Sequence, residues 1–302
     1  MTEAPILVTA TAAGRVDKEL ARAFPDAGRR QLASLFEDGS VRVAGKRVKK
    51  GDMVAPGDVI SVARAPISGE ALRPVPDPAA AERITVLLER ADVIVISKPA
   101  GMPSQPLRAG ELGTAANAIA ARWPECAALG DDPRDGGLVH RLDIGTSGAL
   151  VAARTELAYR ALRQAFGDGL VDKLYLAIVD GRPVARECDA PLVQRGKRAV
   201  VDHTDGLAAY TSFTVDRASA THALVRCAAQ TGRMHQVRAH LAYVGAPIAG
   251  DALYGGAPVP GIDGFFLHAA SITIPLGDSE RVKIDAPADD RFKAAIAACG
   301  LS

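Results

Sequence analysis

The sequence predicts an α+β chain in which a small N-terminal module precedes a larger domain. Three observations predict it. Between residues 14 and 62 two helical periodicities come first and short alternating runs follow, whereas beyond residue 84 strand-like runs and amphipathic helices are interspersed. A proline-rich stretch, 64–83, lies between these regions. At 302 residues and 48% hydrophobic content, the chain is long and apolar enough for one large core and a small one. The boundaries are therefore placed at 1–63, 64–83 and 84–302.

In the first module, Val16, Leu20 and Phe24 have helical spacing, and Pro25-Asp26-Ala27-Gly28 breaks it. Leu32, Leu35 and Phe36 mark a second helix that Asp38-Gly39 ends. Val41-Arg42-Val43 alternates like a strand, turns at Ala44-Gly45 and continues through Lys46-Arg47-Val48. Pro56-Gly57-Asp58 turns the chain again before Val59-Ile60-Ser61-Val62. From Gly14 to Lys50 ten Lys and Arg stand against five Asp and Glu, an excess of five in a chain whose formal net charge is +1. Phosphate contacts are the simplest use of such a local excess. Pro74, Pro76 and Pro78 disfavour regular structure, so 64–83 reads as a semi-extended spacer.

In the larger domain, Thr85–Glu89 and Val93–Ile96 read as strands, and Lys98-Pro99-Ala100-Gly101 as a rigid bend. Thr114 is an N-cap for the helix that follows, and Trp123 beyond it reads as packing rather than a stacking platform. Thr155 caps another helix, with Ala158, Leu162, Ala165 and Phe166 on its apolar face. Lys173–Val179 is a strand on which Tyr175 shares a face with Ala177 and Val179. Arg195, Lys197 and Arg198 sit on a segment that reads equally as a phosphate contact or a solvated loop. Ala223–Cys227 is a strand. Thr231-Gly232 then turns into a helix with Val237, Leu241 and Val244 on one side and Arg233 at its start, a natural anion position.

The stretch that organises the domain is Gly137–Val151. Leu138-Val139 and Ala149–Ala153 are strand-like, and between them lie His140, Arg141 and one carboxylate, Asp143. A loop held at both ends by sheet is rigid yet open to a ligand. A single carboxylate among cations stays ionised and can serve as nucleophile or general base. The same residues could equally form a local ion pair across a turn, and taken alone they leave both readings open.

Cys126, Cys188, Cys227 and Cys299 are scattered, which argues against a zinc site or a disulfide framework and for buried thiols in a reducing compartment. His235 and His240, five apart, do not share a helical face, so no metal is expected. No basic leader and no apolar run of membrane-spanning length is evident, and a cytoplasmic protein without membrane attachment is expected.

His140-Arg141-Leu142-Asp143 followed by Gly145-Thr146-Ser147-Gly148 resembles the central motif of the RluA-type pseudouridine synthases. Ser97-Lys98-Pro99-Ala100-Gly101-Met102, Lys173-Leu174-Tyr175, Gly232-Arg233-Met234-His235-Gln236-Val237-Arg238-Ala239-His240 and Gly250-Asp251-Ala252-Leu253-Tyr254-Gly255 match further family motifs in the family's order. Residues 14–62 resemble the S4-type RNA-binding module. The resemblance implies a mixed, mainly antiparallel sheet with flanking helices behind a small S4-like domain. It implies isomerisation of uridine in RNA, ribosomal RNA before transfer RNA, with no cofactor, no DNA partner and a monomeric enzyme. Asp143 is implied as the catalytic aspartate, Arg233 as its partner and Tyr175 as the base-stacking residue. His140, Arg141, Arg15, Arg29, Arg30, Lys46, Arg47, Lys98 and Arg238 are expected to contact RNA. Gln105 stands where the family often has His, and Ile144-Gly145 where it often has Lys-Asp. The rival expectation is a non-catalytic RNA-binding factor built on the same fold.

Overall fold

The computed structural model describes residues 4–25, 27, 29–66, 69–277 and 280–302, and the side chains of Arg29 and Arg30 lie outside that description. The chain divides into two compact units. One comprises Met1–Arg73 with Leu107–Gly110 and Asp132–Arg134, the other Pro74–Pro106, Glu111–Asp131 and Asp135–Ser302.

The first unit contains β1 (Ile6–Thr9), β2 (Gly14–Arg15), α1 (Val16–Ala23), α2 (Arg29–Glu37), β3 (Val41–Val43), β4 (Lys46–Arg47), β5 (Met53–Val54) and β6 (Val59–Val62). The order β1-β6-β3-β4 makes one sheet, and β2 pairs with β5. Val16 and Leu20 of α1 and Leu32, Leu35 and Phe36 of α2 pack on Val41, Ile60 and Val62, the spacing that read as two helices and a strand pair. The break expected at 25–28 falls partly on Asp26 and Gly28, outside the described residues.

The second unit begins inside the expected spacer, and there the spacer reading is corrected. Pro78 opens a single helical turn, α3 (Pro78–Ala81), because proline is tolerated at a first helical position. Asp77 caps it by accepting from Ala80 N at 3.1 Å and also accepts from Gly113 N at 2.9 Å. Asn117 donates to Val75 O at 2.7 Å. Residues 74–81 are thus bonded onto α4 (Ala115–Arg122), whose Thr114 and Asn117 form a buried capping box. Trp123 ends α4, buried, with Nε1 donating to Glu89 at 2.9 Å.

The remaining elements are β7 (Thr85–Glu89), β8 (Val93–Lys98), β9 (Ser147–Ala153), α5 (Glu156–Gly167), β10 (Asp172–Asp180), β11 (Glu187–Cys188), β12 (Leu192–Arg195), β13 (Arg198–Val201), β14 (Thr211–Ala218), β15 (His222–Ala229), α6 (Gln236–Tyr243), β16 (Leu267–Leu276), β17 (Glu280–Asp285) and α7 (Asp290–Ala298). The large sheet runs β11-β14-β15-β10-β16-β9-β8-β7, with β17 on the far half of β16. Its pairs are antiparallel except β16 with β9. β9 is buried along its whole length, which is why Ala149–Ala153 reads as a continuous apolar run rather than an alternating one. Among the described residues no helix is long and apolar enough to cross a membrane.

The parallel junction explains one glycine. Gly148 pairs with Ala269 at φ +110°, and a Cβ there would lie 2.2 Å from Ala269 O. Gly148→Ala is expected to cost about 2–6 kcal/mol, left-handed strain plus overpacking, read from urea unfolding midpoints. A loss below ~0.5 kcal/mol would contradict this packing.

Candidate active site

The Asp143 loop is fastened through Leu138, Val139, His140 and Leu142. Leu138 bridges Ala152, and Val139 N donates to Val151 O at 3.3 Å. His140 Nε2 accepts from Val151 N at 3.0 Å while its ring stacks on Phe166 at 4.7 Å. Burial above all, then Lys173 and Arg163, pulls the His140 pKa down to about 3, so it is a neutral acceptor. The expected RNA contact by His140 is therefore corrected to a structural role, since the ring is spent on β9 and α5. Ser104 Oγ donates to Leu142 O at 2.8 Å and accepts from Leu142 N at 3.0 Å.

Lys98 is corrected in the same way. It is fully buried, and Nζ donates to the carbonyls of Met102, Pro99 and Ile144 at 2.7, 3.1 and 3.3 Å. With Gly101 N on Ile144 O at 2.7 Å, it straps the 98–102 bend to the residue after Asp143. Burial lowers the Lys98 pKa to about 7 against the opposing charge of Asp143. The unfolded chain keeps this proton up to pH ~10, so between ~7 and ~10 it binds more protons than the folded chain, and stability rises with pH there. Buried thiols such as Cys126, pushed up to about 12, act in the opposite sense. The test is the difference between wild type and Lys98→Met: the wild-type curve should climb relative to the variant from pH 7 upward, and parallel curves would refute the assignment.

Asp143 projects into a pocket with its side chain 20% exposed. The ion pair expected from Arg233 is made instead by Arg238, whose Nη1 donates to Asp143 Oδ2 at 3.0 Å. Arg238 Nε and Nη2 grip Asp251 at 2.6 and 2.9 Å, a bidentate fork on a carboxylate only 1% exposed. The guanidinium carbon also lies 4.4 Å from the Phe265 ring centroid and 5.0 Å from that of Tyr254. Arg238 is thus buried, with each of its three nitrogens donating to a carboxylate, so its role is to hold Asp143 and Asp251 rather than to make the expected RNA contact.

The physical reason is the helix boundary. α6 starts at Gln236, not at Arg233, and His235 at its N-cap is left-handed at φ 53°. Such a backbone costs about 1–3 kcal/mol and is tolerated where its surroundings over-determine it. Gln236 supplies that: Oε1 accepts from Thr231 Oγ1 at 2.7 Å and Arg233 N at 3.0 Å, and Nε2 donates to Tyr210 O at 2.9 Å. Arg238 consequently sits in the first helical turn, facing Asp143. Arg233 stays in the preceding loop on the pocket's rim, exposed, with Nε donating to Ala208 O at 3.0 Å.

His235 lines the same pocket. Its Nε2 is 3.7 Å from Asp143 Oδ1, and its Nδ1 is 3.1 Å from the Tyr254 hydroxyl. Burial sets its pKa below the ordinary value, with Asp143 opposing. Tyr254 in turn donates to Ala199 O at 3.1 Å and accepts from Ala199 N at 2.9 Å, which ties β13 to the site. Tyr175 lines the pocket too, on β10 beside a bulge. Burial and then the charge of Asp143 raise its phenol, so the hydroxyl keeps its proton at neutral pH. The carboxylate, held on one oxygen and open on the other, is placed to attack an electrophilic carbon or to take a proton.

The other expected contacts divide. Arg141 is exposed and lines the pocket. In the first unit Arg15 is exposed and paired with Asp17 at 3.0 Å, and Lys46 is exposed. Arg47 donates to Glu37 O at 2.6 Å and Phe36 O at 3.2 Å, closing the end of α2. Arg29 and Arg30 open α2, but their side chains lie outside the described residues. Gln105 donates to Asp135 at 2.6 Å, which Tyr159 also reaches at 2.9 Å, and Ile144 points outward at 56% exposure. Asp251, Tyr254, His235 and Phe265 are functional candidates that sequence reasoning did not assign, although the first two lie in the quoted Gly-Asp-x-x-Tyr-Gly motif.

The sequence model of a family described as RNA pseudouridylate synthase matches residues 92–243. A ribosomal large subunit pseudouridine synthase D of Xanthomonas campestris is 37% identical over 83% of this chain and 74% of its own. A ribosomal large subunit pseudouridine synthase C of Escherichia coli O157:H7 is 33% identical over 97% and 96%. The solved structure titled human RNA pseudouridylate synthase domain containing 4 is similar in fold, with a TM-score of 0.59 and 22% identity over 74% of this chain and 95% of that one.

Proposed function

We propose that this chain, which belongs to the RNA pseudouridylate synthase family and so isomerises uridine in RNA, does so through Asp143 and acts on large-subunit ribosomal RNA in the cytoplasm. The observation that carries the assignment is the half-open Asp143 carboxylate, aligned by a buried arginine and flanked by Tyr175 and His235 in one pocket. The substrate reading is supported by the relatives named ribosomal large subunit pseudouridine synthases C and D. The helix-helix-strand order and the positive excess of residues 14–50 support an S4-like unit that holds RNA by its phosphates.

One uridine leaves its stack at a cost of about a few kcal/mol and stacks on Tyr175. Asp143 then either attacks C1′ or removes the C2′ proton. By either route the N1–C1′ bond breaks and the uracil takes the electron pair at N1. The uracil turns and C5 bonds to C1′, on the first route as the Asp143–C1′ ester bond breaks and on the second as Asp143 returns the proton to C2′. The C5 proton is then lost and N1 gains a proton, so the product is an isomer and Asp143 is again a carboxylate. The protonated Tyr175 hydroxyl suits a stacking and hydrogen-bonding role rather than a phenolate base. No group beyond the chain's own residues enters this balance.

The test is tritium release from transcripts carrying uridine labelled at C5. Large-subunit ribosomal RNA should release label and transfer RNA should not. Release from transfer RNA alone would overturn the substrate assignment, and silence on all RNAs would overturn the function.

A further inference from the structure

Phe265 lies outside the family-matched segment, in the residues that lead into β16. Its ring centroid is 4.4 Å from the guanidinium carbon of Arg238. It also abuts the Asp143 loop, because a Cβ built on Gly145 would fall 2.5 Å from Phe265 Cε1. One ring therefore touches both the partner of Asp143 and the backbone two residues after it. Behind the ring, Arg291 in the first turn of α7 donates Nη1 to Asp263 O at 2.7 Å and Nη2 to Phe265 O at 3.0 Å. Its guanidinium carbon lies 4.7 Å from the Phe266 ring centroid. The same segment presses on the residue before Asp251: Gly250 is at φ +81°, and a Cβ there would lie 2.1 Å from Gly264 O.

We infer that Phe265 is a positioning residue for Asp143, acting through Arg238 and Gly145, and that Arg291 sets Phe265 by clamping the two carbonyls around it. Ordinary packing is a poor account of these contacts. Phe266, whose ring meets Arg291, and Phe292 are the fully buried rings of this region, whereas Phe265 is only partly buried and its ring meets the cation that pairs with Asp143. An arginine is suited to the clamp because its rigid planar fork meets the two acceptors in a fixed geometry, where a lysine offers a point charge on a flexible stem. Displacing a reacting group by about 1 Å lowers a rate roughly 10²-fold without weakening substrate binding.

The inference rests on the isomerase reading, and the experiment separates the two. Single-turnover tritium release at saturating C5-labelled RNA is measured for full-length wild type, Asp143→Asn, Phe265→Leu, Phe265→Tyr, Arg291→Met and the Phe265→Leu/Arg291→Met pair. Phe292→Leu serves as a stability control. Phe265→Leu and Arg291→Met should slow the step by roughly 10–100-fold, with RNA dissociation constants within about twofold of wild type. Phe265→Tyr, which keeps the ring face, should recover the rate. The pair should be no slower than Phe265→Leu alone, because the two residues act in series. Should Phe265→Leu fail to fold, Arg291→Met and Phe265→Tyr carry the same test. Wild-type rates in the variants, or an equal loss in Phe292→Leu, overturn the inference and leave the isomerase standing. A silent wild type overturns both.

Discussion

Arg238→Met is expected to slow uridine isomerisation by 10³-fold or more and to cost about 3–5 kcal/mol of folding stability. Both losses have one origin. Arg238 is the shared cation of two carboxylates, one of them 1% exposed. Methionine fills the space between the Tyr254 and Phe265 rings but supplies no donor. Asp251 is then a buried charge without its fork, and removing one partner of a buried pair costs far more than the pair itself contributes. Asp143 meanwhile loses the bond that fixes its rotamer. Arg238→Lys should recover part of the stability and little of the rate, because an ammonium cannot hold Asp251 by two parallel bonds and still reach Asp143. Arg233→Met separates this account from the pairing expected on sequence grounds. That exposed side chain bonds Ala208 O and not Asp143, so its loss should raise the RNA concentration needed for half-saturation and leave stability within ~0.5 kcal/mol. Urea midpoints and single-turnover release measure both; an inactive Arg233→Met beside an active Arg238→Met would contradict the geometry.

That exchange between two arginines shows how far the sequence could be read. Val16/Leu20 and Leu32/Leu35/Phe36 disclosed their helices because one face of each packs on a sheet, and amphipathic spacing records that directly. Thr114 and Thr155 disclosed helix starts because each side chain accepts from the backbone three residues on. The start of α6 was not legible. Thr231-Gly232 has turn chemistry, but the turn continues to a left-handed His235, and what sustains it is the Gln236 side chain folding back on Thr231 and Arg233. A three-residue shift of the helix start exchanges which arginine faces the carboxylate. Lys98, His140 and Arg238 resemble RNA contacts in the sequence because charge and polarity look alike there whether spent on phosphate or on the chain's own carbonyls and carboxylates. Their partners, Met102, Val151 and Asp251, follow from tertiary placement, not from spacing. Pro74–Pro78 misled in the opposite direction: proline rules out helix interiors, yet Pro78 fits the first helical position that Asp77 caps.

Asp143→Asn is expected to abolish isomerisation, by at least about 10³-fold, while RNA affinity changes by no more than about twofold. The amide has the carboxylate's shape and keeps an oxygen for Arg238 Nη1, so the loop strapped by Ser104 and Lys98 should stay in place. What it lacks is the negative charge that attack at C1′ or removal of the C2′ proton requires. Folding should suffer little, because Asp251 keeps its fork and Asp143 is partly open to water. The decisive measurement is therefore single-turnover tritium release from C5-labelled large-subunit ribosomal RNA, with wild type and Asp143→Asn compared at equal RNA occupancy. Release by wild type and none by the variant is the result expected of a carboxylate that begins the isomerisation. Release by Asp143→Asn at a rate near wild type would contradict it and remove Asp143 from the chemistry.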